Sequence, residues 1–536
     1  MRRALAWLAV GIAAAGAGCY ERGSSNKPAP VRDDAGAIAP APIAPRTGAE
    51  PAGPADPAAT VRVRLEADPA HLNPLLADAL AIRVAMGDVY EGLLCRRDPA
   101  QPPQPCLASR VDVDGAQTTW TFSLRDDVTW HDGKPLTAAD VVYTYQLLAS
   151  EPRAPSVLAA EVDDLRAIER IDDHTVRMRF REFRVGRIEA FANVPVLPAH
   201  AFAGAKPSRL AQAAASRAPV GTGPMRFSEW NEGELIALER FDGYWGDASK
   251  ARRVEYRIVP SRQQAVAALA AGNLDVITQM PVDEAQAAAS EGGARLFAYD
   301  TPAYLAAVWN TRKPALVDAA VRRALGMLLD RRGLIDQVFK GYARPIAGPF
   351  PARGIEVPIA ASFASERRRA KLLLHGAGDV TPKLTLLVPS ESRTMLRIAD
   401  IWAADAAPLA KLTVEQAPFS EVLERARTGR FDAVLLSFTT GDEFDHFDRF
   451  HSSQIGKQNY GAISDKALDD ALESIRTTPG RDARLAIERD IEARLAELAP
   501  YCFMVSDQRV GLARANVGGV RVTRDGLSAA SLWVQK

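Results

Sequence analysis

The fold is decided by residues 120–148, which read WTFSLRDDVTWHDGKPLTAADVVYTYQLL. Apolar and polar residues alternate at the start of this stretch, which is the period of a strand with one buried face. Asp132 and Gly133 supply a turn, because glycine tolerates a positive φ. Thr137 and Asp140 stand at capping-box spacing before apolar residues that share one helical face. The stretch therefore predicts a strand, a turn and a capped helix that packs on the strand.

Residues 219–246 make a second informative stretch, PVGTGPMRFSEWNEGELIALERFDGYWG. Gly221, Gly223 and Pro224 suit a tight backbone reversal, and the residues that follow alternate as two strands joined by a turn. The two glycines do not indicate a phosphate loop, because the third glycine, the lysine and the following helix are missing.

Later segments alternate between strand and helix patterns. Residues 254–280 read as strand, helix and strand, with Ser261 as N-cap and Gly272 as C-cap of the helix. A helix between two apolar strands predicts a parallel crossover. Residues 305–345 add helices opened by Asp318 and Asp330. This alternation predicts an α/β fold.

These motifs occur together in one known family. The strand ending in Leu-Arg, the WHDG turn and the PLTAxDVVYTY helix resemble the signature of the family 5 extracellular solute-binding proteins, the peptide- and nickel-binding components of ABC importers. The resemblance covers nearly all of residues 60–536. Other matching segments follow in the family's order: LNPL at 72–75, YEGL at 90–93, LPxH ending at His200, residues 219–246, GxxD at 272–275 and residues 305–345.

The resemblance implies a two-lobed α/β fold of the periplasmic-binding-protein type (class II, cluster C). We expect an extra subdomain in the first lobe and a ligand cleft between the lobes. The expected boundaries are residues 1–18 for a signal peptide, 19–59 for a lipidated cysteine and linker, 60–300 for lobe I with its subdomain at about 95–218, 301–507 for lobe II, and 508–536 for a return to lobe I.

The amino terminus has the pattern of an export signal, with Met1-Arg2-Arg3 before a short apolar run. That run is too short to span a bilayer comfortably. Gly16-Ala17-Gly18-Cys19 resembles a lipoprotein box in which Cys19 is acylated, although Gly16 stands where leucine is typical. The alternative is plain secretion with cleavage near Ala17. Residues 20–58 are rich in proline and alanine and predict an unfolded tether.

Composition excludes some function classes. The 536 residues contain 66 basic and 66 acidic side chains, so nothing in the net charge indicates nucleic-acid binding. The hydrophobic content of 47% is ordinary for a globular protein.

Three cysteines follow Cys19. Cys95 and Cys106 flank a loop rich in proline and glutamine, and either a disulfide closes this loop or both remain half-buried thiols. Cys502 lies in an apolar run and is expected to be a buried small hydrophobic residue.

The ligand site is expected in the segment LLSFTTGDEFDHFDRFHSS. In peptide-binding members of the family, an aspartate of a WxxD-type segment pairs with the ligand's α-ammonium. Here the resemblance assigns ligand contact to Phe438, Asp442 and Asp445, with one extra residue between Phe438 and Asp442. The alternative is a solvated acidic loop. The spacing of His446 and His451 does not match a helical zinc site, so we expect no metal.

The resemblance implies that the chain captures a small solute, most simply a di- or oligopeptide, and delivers it to a permease driven by an ATPase. The alternatives are a nickel chelate, haem, an oligosaccharide or an opine as the solute, or a sensor on the same fold. A hydrolase is disfavoured because GxSxG, HExxH and P-loop motifs are missing from the sequence. We expect a monomer without a cofactor, anchored by lipid in the periplasm or cell envelope.

Overall fold

The computed structural model describes residues 49–76, 82, 85–96, 102–150, 156–301, 303–349, 363–439, 445–523 and 526–536. The signal segment, Cys19 and Asp442 lie outside these residues. Within the described ranges, no helix has the length and apolarity that crossing a membrane requires.

The strands fall into two groups along the chain. The first group is β1 (Thr60–Leu65), β2 (Leu94–Cys95), β3 (Gln104–Pro105), β4 (Ala108–Val113), β5 (Thr119–Leu124), β6 (Leu165–Arg170), β7 (Thr175–Phe180), β8 (Met225–Asn231), β9 (Leu235–Arg240), β10 (Arg253–Ile258), β11 (Val276–Met280) and β12 (Ala294–Asp300). The second group is β13 (Ala303–Trp309), β14 (Ala343–Pro345), β15 (Lys383–Pro389), β16 (Lys411–Ala417), β17 (Ala433–Thr439), β18 (Tyr501–Arg514), β19 (Val517–Gly518), β20 (Val522–Thr523), β21 (Gly526–Leu527) and β22 (Trp533–Val534).

The α-helices lie between these strands. They are α1 (Ala138–Ala149), α2 (Arg187–Asn193), α3 (Arg262–Ala270), α4 (Val282–Ser290), α5 (Ala319–Met327), α6 (Arg331–Gln337), α7 (Phe363–Gly376), α8 (Arg393–Ala406), α9 (Phe419–Thr428), α10 (Phe447–Phe450), α11 (Lys466–Thr477) and α12 (Arg481–Leu498).

A 12-stranded mixed sheet dominates the fold. Ten of its strands follow the order β16-β15-β17-β13-β18-β11-β1-β10-β9-β8, and β12 and β14 pair with β18 as well. We call β1 and β8–β12 the first sheet half, and β13–β17 the second sheet half. A separate sheet of order β4-β5-β7-β6 carries the deciding stretch of the sequence.

Strand β18 joins the two sheet halves. Its first residues pair antiparallel with β13, from Val308↔Tyr501 to Leu305↔Val505. Its last residues pair with β12, from Asp300↔Gln508 to Ala294↔Arg514, and with β11. One 14-residue strand therefore belongs to both sheet halves.

The deciding stretch folds as predicted. Trp120, Phe122 and Leu124 of β5 are buried while the residues between them are partly exposed. The backbone N–H of Thr137 donates to the carboxylate of Asp140 at 2.9 Å, which completes the capping box of α1.

The crossover at residues 254–280 is parallel, but its strands are not neighbours. Strands β10 and β11 both pair in parallel with β1, which lies between them. The Ser261 hydroxyl accepts from the N–H of Gln264 at 3.3 Å and caps α3, as predicted. Gly272 follows the helix with a φ of +76°.

Buried side chains cover both faces of the second sheet half. Along β13, Leu305, Ala307 and Trp309 belong to one apolar core, whereas Tyr304, Ala306 and Val308 belong to another. This alternation follows from the period of two in a strand. Cys502 is 4% exposed in the first of these cores, which confirms the sequence prediction.

Candidate functional site

Two family motifs, YEGL at 90–93 and the stretch 219–246, meet at one buried carboxylate in the first part of the chain. Glu91 is 6% exposed and accepts hydrogen bonds from the Thr222 hydroxyl at 2.9 Å, the Tyr244 hydroxyl at 2.8 Å and the Trp245 indole N–H at 3.1 Å. We call these four residues the Glu91 junction. Three donors satisfy this carboxylate, so the junction is a structural tie between motifs.

His131 of the WHDG turn also binds this region. Its Nδ1 accepts from the N–H of Gly221 at 3.2 Å, and its Nε2 donates to the carbonyl of Gly223 at 2.9 Å. Burial lowers the pKa of His131 from 6.5 to about 4, so the ring is neutral in the fold. These two bonds to the 219–246 loop make His131 a structural residue. His200 bonds Asp132 of the same turn at 2.7 Å.

The glycines of this loop are needed for close packing. A Cβ at Gly221 would stand 1.8 Å from the carbonyl oxygen of Val89, and one at Gly223 would stand 2.3 Å from that of Asp88. The sequence prediction of a reversal was therefore incomplete, because close approach of two backbones also excludes a side chain at both positions.

Cys95 and Cys106 form a disulfide, with Cα atoms 5.3 Å apart. Their sulfur atoms lie near a Glu91 oxygen, within the reach of one metal ion. Both sulfurs are bonded to each other, so they offer no thiolate to a metal.

The predicted ligand residue Phe438 lies near the end of β17, opposite Tyr304 of β13. The two rings stack with centroids 5.3 Å apart, and the ring of Tyr501 lies 5.4 Å from Phe438. Phe438 is 8% exposed. Tyr304 follows the crossing from β12 to β13, so this aromatic wall stands where the two sheet halves are joined.

Arg449 of α10 covers this aromatic wall. Its guanidinium carbon lies 5.5 Å from the ring centre of Phe438 and 5.9 Å from that of Tyr304. The guanidinium donates to the carbonyl of Thr439 and approaches Nδ1 of His446 at 3.5 Å. We call Arg449, Tyr304, Tyr501 and Phe438 the Arg449 cluster.

The other predicted residues of this segment are engaged by their neighbours. Asp445 forms an ion pair with Arg476 at 3.3 Å and accepts from the N–H of Phe447 at 3.0 Å. His451 contacts the Ser453 hydroxyl at 2.8 Å and a carboxylate oxygen of Glu473 at 3.2 Å. Phe438 therefore belongs to the Arg449 cluster, Asp445 is paired with Arg476, and Asp442 lies outside the described residues.

Two features of these sites were missed in the sequence. Glu91 interrupts an apolar run, and a lone acid there signals a buried carboxylate in need of donors. Arg449 lies within the quoted segment, but the resemblance assigned ligand contact only to Phe438, Asp442 and Asp445. Tyr304 and Tyr501 carry no local signal, because they reach the cluster from separate strands.

Comparisons with known proteins agree with this architecture. The model for the bacterial extracellular solute-binding proteins, family 5 Middle, matches residues 102–459. The oligopeptide-binding protein AppA of Bacillus subtilis is 26% identical over 421 residues, which cover 73% of this chain and 76% of AppA. Di/tripeptide-binding protein 2 of Pseudomonas aeruginosa is 24% identical over 503 residues, 87% of this chain and 92% of that protein.

Among solved structures, HbpA2 from Haemophilus parasuis has a TM-score of 0.79 at 22% identity, covering 89% of this chain and 100% of HbpA2. The periplasmic murein tripeptide-binding protein MppA, in its unliganded open form, has a TM-score of 0.80 at 21% identity, with coverage of 90% and 99%. The two-lobed α/β fold expected from the sequence is confirmed.

Proposed function

Because the chain belongs to family 5 of the bacterial extracellular solute-binding proteins, we propose that it is the substrate-binding subunit of an ABC importer and that its solute is a di- or oligopeptide. The observation that carries the proposal is the aromatic wall of Tyr304 and Phe438 beside the crossing between the sheet halves. Ligands of two-lobed proteins sit in the cleft between lobes. The peptide-binding names of AppA and the Pseudomonas protein support the solute class.

The mechanism is closure of two lobes around the solute. The chain passes between the sheet halves between Asp300 and Ala303 and again along β18. A solute that touches both lobes stabilises the closed form only by its higher affinity for that form. Contacts to the peptide main chain, with water-filled side-chain pockets, give broad specificity. No catalytic step is part of this function.

The proposed amine partner is Asp442, beside the Arg449 cluster in sequence. A desolvated ammonium needs an ionised partner, and loss of one member of a buried pair typically costs about 3–5 kcal/mol. Phe438 and Asp445 shape the same end of the site.

The proposed setting is the cell envelope. Residues 1–18 direct export, Cys19 carries the lipid anchor, and the residues that follow it tether the folded body. The tether is shorter than the expected residues 20–58, because Ala55 pairs with Gln535 and the N–H of Asp56 donates to the carbonyl of Val534 at 2.7 Å. The body is divided into residues 60–300, with the subdomain at about 95–218, residues 301–507 and residues 508–536. It is a monomer, and it docks on a permease with its ATPase. The boundary at 507 falls inside β18.

The test is native mass spectrometry of the protein as purified, followed by denaturing analysis of what it releases. We expect a mixture of peptides that is lost from Asp442→Ala. Asp448→Ala is the matched control, because Asp448 is an exposed acid of the same segment. An empty protein, or a bound sugar or metal chelate that is retained by Asp442→Ala, would contradict the peptide assignment.

A further inference from the structure

One end of the second sheet half carries a groove with both basic and apolar side chains. The groove has a volume of about 540 Å³ and is formed by α7 and by the two segments that lead into β15 and β16. Arg368, Lys371, Leu372 and Val380 contribute to its lining. We call it the α7 groove. None of its lining residues belongs to the Arg449 cluster.

The apolar part of the α7 groove is strongly exposed. Leu372 is 70% exposed, the highest value of any large apolar side chain among the described residues, and Val380 is 38% exposed. Leu374 of the same helix is buried in the core of the second sheet half, so α7 turns one leucine inward and leaves another in water. A single exposed leucine carries little meaning, but here two exposed apolar side chains line one groove.

Positive charge surrounds these apolar side chains. Residues 363–383 and 405–411 contain six Lys and Arg residues against three Asp and Glu residues. The adjoining residues 350–362 contain one arginine and one glutamate, so they leave this excess unchanged. Four of the six basic side chains are fully exposed and are not in an ion pair with the acids of these segments: Arg368, Lys371, Lys383 and Lys411. The α7 groove therefore lies in a positively charged surface.

The acidic side chains of these segments are engaged elsewhere. Glu366 pairs with Arg369 at 3.1 Å, and Asp379 contacts Nδ1 of His375 at 2.6 Å. Asp405 accepts from the backbone N–H of Asp330 at 3.1 Å. These acids therefore do not neutralise the four exposed cations.

The α7 groove lies at the far end of the sheet from the aromatic wall. Strands β15, β16 and β17 run parallel, and Lys383 and Lys411 are register partners at the first residues of β15 and β16. Phe438 lies at the opposite end, next to the last residue of β17. A partner bound at the α7 groove therefore leaves the candidate solute site open.

A membrane with anionic headgroups fits this combination of side chains. Lys and Arg are attracted to the negative surface of such a membrane, and an exposed leucine enters the boundary between headgroups and acyl chains. A stable protein partner needs a larger apolar contact than two side chains provide. The lipid anchor proposed above also holds the body within reach of a membrane.

We propose that the α7 groove and its cations bind the anionic phospholipid headgroups of the membrane to which the protein is anchored. This inference rests on the proposed location in the cell envelope and adds an orientation to it. The second lobe lies with the first residues of β15 and β16 toward the bilayer and with the Arg449 cluster away from it.

The test is flotation of the full chain with lipid vesicles. All proteins carry Cys19→Ser, so that no acyl chain holds them to a vesicle, and residues 1–18 are the same in each of them. Vesicles of equal parts phosphatidylglycerol and phosphatidylcholine are compared with vesicles of phosphatidylcholine alone. We expect partition onto the anionic vesicles to be about tenfold or more higher, and to fall strongly in about 0.5 M salt.

Variants separate the α7 groove from the rest of the surface. Arg368→Gln combined with Lys371→Gln should lower partition onto anionic vesicles about tenfold or more, because each basic side chain near such a surface contributes about a factor of five. Leu372→Ser should lower it about threefold or more and leave the melting temperature unchanged, since this side chain is exposed.

Two matched controls change similar side chains elsewhere. Lys466→Gln alters a lysine of α11 that is 87% exposed, and Ile171→Ser alters an apolar side chain between β6 and β7 that is 47% exposed. We expect both controls to keep the wild-type partition.

Three results would overturn the inference. Equal partition of the wild type onto anionic and neutral vesicles would exclude the headgroup contact. Partition that survives in both groove variants would assign the contact to other residues. Binding of soluble polyglutamate that depends on Arg368 and Lys371, without vesicle binding, would assign the surface to an acidic protein. Solute capture is measured separately by native mass spectrometry, so a failure of peptide binding is distinguished from a failure of the membrane contact.

Discussion

The Glu91 junction and the Arg449 cluster are both buried polar groups, but their hydrogen-bond balance is opposite. At the Glu91 junction, one carboxylate meets three donors, and each of them has its partner. At the Arg449 cluster, the hydroxyls of Tyr304 and Tyr501 have no hydrogen-bond partner among the described residues. A satisfied network stabilises one structure, whereas an unsatisfied one is stabilised by a ligand. The contrast separates a structural tie from a candidate binding site.

The largest expected effect on stability comes from removing the carboxylate of the Glu91 junction. Glu91→Ala removes the carboxylate that accepts from Thr222, Tyr244 and Trp245, and the loss of three hydrogen bonds to one buried acceptor is costly. We expect the free energy of unfolding to fall by about 3–5 kcal/mol in urea unfolding. Glu232→Ala is the control, because that carboxylate is 66% exposed and should change stability little. A loss under about 1 kcal/mol for Glu91→Ala would contradict the structural role.

The second-largest expected effect is a loss of stability at low pH that is caused by His131. Its pKa is about 4 in the fold against 6.5 when exposed, so the unfolded chain binds more protons between these values. The contribution of His131 to stability is therefore complete above pH 6.5 and falls by up to about 3 kcal/mol as pH drops to about 4.

Urea unfolding across this pH range measures the effect, and His131→Gln should flatten the profile while lowering stability at neutral pH. His446 contributes with the same sign down to about pH 3, so some slope remains in the variant. A profile unchanged by His131→Gln would show that other groups govern the acid response.

The smallest expected change in stability compares the Arg449 cluster and the Glu91 junction most directly. Tyr501→Phe removes a hydroxyl without a described partner, so stability should stay unchanged or rise by up to about 1 kcal/mol. Tyr244→Phe removes a hydroxyl that donates to Glu91 at 2.8 Å, so stability should fall by about 1–2 kcal/mol. Thermal unfolding of both variants makes the comparison. Equal losses would mean that the Tyr501 hydroxyl has a structural partner.

Local features of the fold were predictable because their causes are local. Ser261, Asp318 and Asp330 each accept a backbone N–H at the start of their helix, as the sequence predicted. The last helix, α12, also follows its apolar pattern. Ile491 and Leu495 are buried, and Leu485 and Ile487 pack half-buried against the same core.

Long-range pairing could not be predicted from local patterns. Nothing in the sequence near β10 and β11 shows that β1 lies between them. The expected boundary between residues 507 and 508 falls inside a strand, because residues 501–514 form β18. For the candidate site, the resemblance predicted ligand contact at Phe438, whereas Tyr304, Tyr501 and Arg449 come together only through the sheet and α10.

The position of β18 in the chain has a consequence for how the protein is made. This strand forms near the carboxyl terminus, yet it lies between β13 and β11 in the sheet. Until residue 514 has been synthesised and released, β13 and β11 both present unpaired edges, which are prone to wrong pairing and aggregation. The two sheet halves therefore cannot be completed one after the other from the amino terminus. Folding is completed for both at once, when β18 enters between them.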